Sequence, residues 1–122
     1  MVLVDANVII RIIETSNKEM TEKAVEFLMT TKSLARNEVL AEVFYVLNKV
    51  YQIKKESIGI FLLKCIEKNL FEVESVKIVE YAISKCVSSN LDFVDCLLYA
   101  YNQVDGAQVF TFDKALNKLI RG

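Results

Sequence analysis

The sequence predicts an α/β domain, a central, mostly parallel β-sheet flanked by α-helices. Three observations point there. Short apolar runs of strand length alternate with longer stretches whose apolar residues recur at i, i+3 and i+4. An acidic residue stands directly after two of those short runs. The chain has 122 residues and 53% apolar side chains, the length of one domain (residues 1–122) with material for one core.

Pro is absent and Gly occurs three times, so element boundaries are read from periodicity and caps. Met1 to Val4 fits a buried strand, and Asn7 to Ile13 a helix. Thr21 to Met29 is helical, with Ala24, Phe27 and Leu28 on one face. Ser33 to Ala35 is a very short strand. Asn37 is a candidate N-cap for a long helix reaching about Tyr51, with its stripe at Val39, Leu40, Val43, Val46, Leu47 and Val50. Ser57 to Lys68 repeats the pattern through Ile58, Phe61, Leu62, Cys65 and Ile66. Phe71 to Val73 is another short strand. Ser75 caps a helix to about Val87. Asp92 to Val104 is helical with Val94, Leu97, Leu98 and Tyr101 inward, Gln108 to Phe112 is a last strand, and Lys114 to Ile120 a last helix.

Composition excludes several chemistries. There is no His, so histidine metal sites, histidine bases and Ser-His-Asp or Cys-His triads are out. Cys65, Cys86 and Cys96 show no CxxC spacing and lie inside apolar helical patterns, which reads as buried free thiols in a reducing compartment. A net charge of −1 argues against a strong nonspecific polyanion binder but not against a nucleic-acid enzyme with its acids gathered in one site. No stretch reaches transmembrane length and no signal peptide precedes the first strand, so the expected location is cytoplasmic.

Four acids carry the chemistry. Asp5 follows Val2-Leu3-Val4 and Asp113 follows Val109-Phe110-Thr111-Phe112, each at the carboxyl end of an expected strand. Ligands of open α/β sheets bind at those ends; turn formation and helix capping are the alternative roles. Glu42 lies about 100° from the centre of its helix stripe, and Asp95 has the same relation to its own. Such acids either point into a cleft or are ordinary boundary carboxylates. Asp92 and Asp95 also fit an N-cap with its partner three residues on. Together the four can converge on one sheet edge. Gathered carboxylates repel unless a cation sits among them, and Mg2+ or Mn2+ prefers oxygen ligands. With no histidine base, water activated by that cation is the natural nucleophile.

The four segments resemble the motifs of the PIN-domain nucleases, in family order. VDANVIIR at 4–11 is similar to the first, NEVLAEVFYVL at 37–47 to the second, LDFVDCLLYA at 91–100 to the third and VFTFDKAL at 109–116 to the fourth. The resemblance spans nearly the whole chain. It implies a PIN-like fold, with Asp5, Glu42, Asp95 and Asp113 as catalytic metal-site acids for Mg2+ or Mn2+. It implies support from Asn7, hydrogen-bonding the first acid, and from Thr111, orienting the fourth; helix capping and a plain strand position are their alternatives. Asp92 adds nearby charge or caps its helix. A PIN domain of this length resembles the VapC-type toxin of a VapBC toxin–antitoxin pair, which implies an RNA substrate, an antitoxin partner and a homodimer. A PIN ribonuclease of RNA processing or decay, and a catalytically silent PIN-like module, are the alternatives. A haloacid-dehalogenase-type phosphatase wants Asp-x-Asp where this chain has Asp5-Ala6-Asn7, and a response-regulator receiver wants an Asp ending a middle strand, which no credible strand supplies. Arg11, Lys114 and Lys118 are basic residues near the motifs. Ile60 and Leu63 fall outside their helix's inward stripe, a patch to be covered by this chain, an antitoxin segment or a second copy.

Overall fold

A computed structural model describes residues 1–122. Three short parallel strands form the sheet: β1 (Val2–Leu3), β2 (Ser33–Ala35) and β3 (Glu72–Val73), in the order β1-β2-β3. Val2 pairs with Ser33 and Leu3 with Leu34, while Leu34 and Ala35 pair with Glu72 and Val73. The connections are helical, as parallel pairing demands: α1 (Ala6–Ile13), α2 (Lys18–Thr30), α3 (Asn37–Tyr45), α4 (Lys55–Glu67) and α5 (Val76–Val87), followed by α6 (Phe93–Asp105) and α7 (Lys114–Arg121).

One apolar cluster runs from Val4 to Ala100 through all of α1 to α6. Ile9, Leu40, Leu47, Ile58, Leu62 and Val79 are fully buried within it. Helices α5 and α6 pack closely, and α4 lies on α5 through Gly59. The three cysteines are free and buried, as their setting in apolar helical patterns predicts.

Several features depart from the sequence reading. The first strand forms but is not buried: Val2 and Leu3 are exposed, because β1 is a sheet edge, and only Val4 enters the core. The long helix expected to reach Tyr51 is α-helical only to Tyr45 and widens into π-turns over Val46–Val50, leaving Val50 exposed. Asn37 is the first residue of α3; Arg36 is its N-cap, with no side-chain cap. The backbone N–H of Asn37 instead donates to Glu74 Oε2 at 2.6 Å, so a residue after β3 satisfies the helix start. In α6 the inward residues are Phe93, Cys96, Leu97, Tyr99 and Ala100, because the helix packs on α5 and α3; Val94 and Leu98 face out.

The last is the strand expected over Gln108–Phe112, which does not form. Gly106, in the left-handed conformation (φ 70°), ends α6. The chain after it is tied by Ala107 N–H to Tyr101 O and by Asn117 Nδ2 to Thr111 O rather than by a strand ladder. β1 therefore remains a sheet edge, and Asp113 is reached from a loop, not from a strand end.

Candidate active site

The parallel strands all end on the same side, so the residues that follow them share one edge. These are Asp5 after β1, Arg36 after β2 and Glu74 after β3. Asp5 caps α1: its Oδ1 accepts from Val8 N–H at 3.2 Å. Asp92 caps α6, accepting from Asp95 N–H at 2.9 Å, and Asp113 caps α7, accepting from Leu116 N–H at 2.8 Å. The capping role that the residue types allow is thus real for all three. Each cap uses Oδ1 alone, and no second hydrogen bond engages Oδ2. Asp95 and Glu42 accept no hydrogen bond through their carboxylates and form no ion pair.

Asp95 is the electrostatic centre. It is half-buried at the first turn of α6. Burial raises its pKa above the ordinary carboxylate value, and the charges of Asp92 and Asp113 push it the same way. Two motif acids from different helices, Asp95 and Asp113, therefore share one field, with Asp92 beside them. Asp5 and Glu42 do not contribute to it. Glu42 is exposed on α3 rather than turned into a cleft. No group of three acidic side chains stands close enough to hold one ion. The donor chemistry itself suits a hard divalent cation: the candidates are all carboxylates, four of them keep at least one oxygen unengaged, and the like-charge repulsion around Asp95 is what a cation relieves.

The supporting residues divide. Thr111 Oγ1 accepts from Asp113 N–H at 3.0 Å and so fixes the backbone of that acid. Asn7 is exposed and makes no hydrogen bond to Asp5.

Glu74 was missed from sequence. Besides accepting from Asn37, its Oε1 lies 3.7 Å from Arg36 Nη2, and Arg36 Nε donates to Glu38 Oε2 at 3.0 Å. The hydrogen bond to Glu38 and the nearby Glu38 and Glu74 charges raise the Arg36 pKa. The signal was the one that singled out Asp5, an acid one residue past a strand. The largest cavity, about 570 Å3, is lined by Lys32, Ser33, Phe71 and Glu72 at the amino ends of β2 and β3, away from these acids. Next to Asp5 there is only a shallow hollow with Leu3, Val8 and Phe27. Carboxylates on an open surface suit an extended substrate better than an enclosed small molecule.

A family model described as PIN domain matches residues 2–121. No curated protein and no solved structure matches the chain. No helix is long and apolar enough to cross a membrane.

Proposed function

The chain belongs to the PIN-domain family, and from that premise we propose that it is a metal-dependent endoribonuclease with Asp5, Glu42, Asp95 and Asp113 as its metal-site acids. PIN domains are generally nucleases that use divalent metal ions. The observation that carries the reading is the family match over residues 2–121, and the charges of Asp92 and Asp113 beside the half-buried Asp95 support it. Like charges held together cost stability, and a divalent cation bound among them would offset that cost.

Mg2+ or Mn2+ bound there would polarise the phosphoryl oxygen and activate the attacking water. The chain's own residues set the stage. The Asp92 cap fixes the first turn of α6 and so the position of Asp95. Thr111 and the cap to Leu116 hold Asp113 at both its backbone and its carboxylate. Asp5 is pinned to α1 through one oxygen and keeps the other for a ligand. Glu42, exposed and unpaired on α3, has both oxygens free and would have to turn toward the other acids to join them.

The finer reading is the toxin of a VapBC-type module: a cytoplasmic homodimer, neutralised by an antitoxin. It is supported by the resemblance of the four motifs. A silent PIN-like module is the second reading, favoured by the absence of any three acids close enough to share an ion. One experiment separates them. Purified protein is incubated with single-stranded RNA and Mg2+ or Mn2+, with Asp5→Asn as control. Cleavage giving 5′-phosphate ends, lost in excess EDTA and lost in Asp5→Asn, supports the enzyme. Cleavage undiminished by EDTA, or equal in Asp5→Asn, overturns it, and no cleavage under any condition favours the silent module.

A further inference from the structure

Around Asp113 and Thr111, residues 110–121 also carry an aromatic and basic surface that the acid site does not use. Helix α7 is two-faced. Leu116 is buried and Leu119 and Ile120 are half-buried, while Lys114, Lys118 and Arg121 project within an arc of about 60° on the opposite side. None of the three cations makes an ion pair, and α7 contains no acid. With Asn117 they line an open, shallow hollow of about 500 Å3 that contains no hydrophobic residue. The helix dipole accounts for cations at Lys118 and Arg121, in the last turn, but not at Lys114, which sits at the positive end.

On the other side of Asp113 stand Phe110 and Phe112, 86% and 88% exposed. Their rings meet edge to face with centroids 5.2 Å apart. Two phenyl rings almost wholly in water, two and four residues ahead of the first of a row of unpaired cations, supply what single-stranded nucleic-acid binders present: π-faces for bases and positive charge for phosphates. A net charge of −1 for the whole chain makes this local concentration the more specific.

We propose that residues 110–121 form a track for single-stranded RNA. Phe110 and Phe112 stack bases, Lys114, Lys118 and Arg121 hold phosphates, and Asp113 lies between the two groups. The identity of the strand as substrate rests on the ribonuclease reading; the binding does not.

Binding of a fluorescently labelled single-stranded oligoribonucleotide to the full chain is followed by anisotropy, in EDTA so that nothing is cut. Lys114→Gln/Lys118→Gln/Arg121→Gln should weaken binding and reduce the slope of log K against log salt by about 2, the loss of three phosphate contacts to a single strand. Phe110→Ala/Phe112→Ala should weaken binding roughly 5- to 150-fold for each stacked base lost and leave the slope unchanged. An RNA duplex should bind less well than the single strand. All five positions are exposed, so circular dichroism melts should match the wild type. Unchanged affinity and slope in either variant overturns the track, as does equal binding of a polyglutamate peptide lost in the same variants. RNA bound in this manner but never cut with Mg2+ or Mn2+ sinks the ribonuclease and leaves the track. RNA cut with unchanged KM by both variants does the reverse.

Discussion

Asn37 Nδ2 donates to the Tyr101 hydroxyl at 3.0 Å, tying the start of α3 to the middle of α6. These two helices carry Glu42 and Asp95. The bond is half-buried, and the other amide atom of Asn37, Oδ1, is buried with no partner. Tyr101→Phe would leave Nδ2 unpaired as well. The expected loss is about 1 kcal/mol, the net worth of a neutral hydrogen bond. Urea unfolding should show a lower midpoint at an unchanged m-value. A midpoint equal to wild type would mean the bond does not form in solution.

Asp95 yields a pH-dependent prediction. Its folded pKa is raised by burial, Asp92 and Asp113, so folding favours the protonated form. That contribution is fully present below the unfolded value of about 3.9 and is lost as pH rises through the folded value. At neutral pH the ionised group is therefore a liability in the metal-free protein. Asp95→Asn, a mimic of the protonated acid, should raise Tm at about pH 7 and give no comparable gain at about pH 3. The same variant should abolish cleavage. A Tm difference that does not change with pH would refute the crowding of these carboxylates.

What the sequence disclosed depended on where each signal lived. The helices between the strands followed from periodicity, because Leu40, Val43 and Leu47 in α3, and Ile58, Leu62, Cys65 and Ile66 in α4, recur at the helical spacing and are all buried. Asp5 and Asp113 were legible as residues closing an apolar run, but the run before Asp113 is not a strand. Its composition is strand-like, yet pairing is decided by partners, and β1 pairs only with β2. In α6 Leu97 and Tyr101 turn inward as expected but Val94 and Leu98 do not, since Val94 and Leu98 form as regular a stripe as Phe93, Leu97 and Ala100. Periodicity cannot choose between two stripes on one helix; packing on α5 does.

That same ambiguity bears on self-association. Ile60 is 58% exposed on α4, but Leu63 is half-buried and packs against the core, so the outward patch is narrower than the sequence suggests. Ile60→Glu alone is the clean test, since a charge at Leu63 would disturb folding as well. If the proposed homodimer uses this face, Ile60→Glu should give a monomer by light scattering at micromolar concentration, with Tm otherwise preserved. A wild-type monomer, or a dimeric Ile60→Glu protein, removes α4 from the interface.

Gly59 is where α4 comes closest to α5. A Cβ built there would lie 2.7 Å from Val87 Cγ2 and 3.2 Å from Ile83 Cγ2. Both neighbours are β-branched with restricted χ1, so neither can swing away freely. Ile83 is almost fully buried, which leaves it no room to retreat. Two effects of Gly59→Ala oppose each other. The substitution improves helix propensity by about 1 kcal/mol. Overpacking of a tight contact costs about 1–3 kcal/mol. The close approach decides for the second, because the gap is below any ordinary carbon contact and Ile83 belongs to the core. Gly59→Ala should therefore lower stability by up to about 2 kcal/mol. Gly59→Ala combined with Val87→Ala, which removes the nearer methyl, should recover part of that loss, a coupling that a double-mutant cycle reads directly. A Gly59→Ala protein more stable than wild type would show that α4 and α5 lie farther apart than this contact requires.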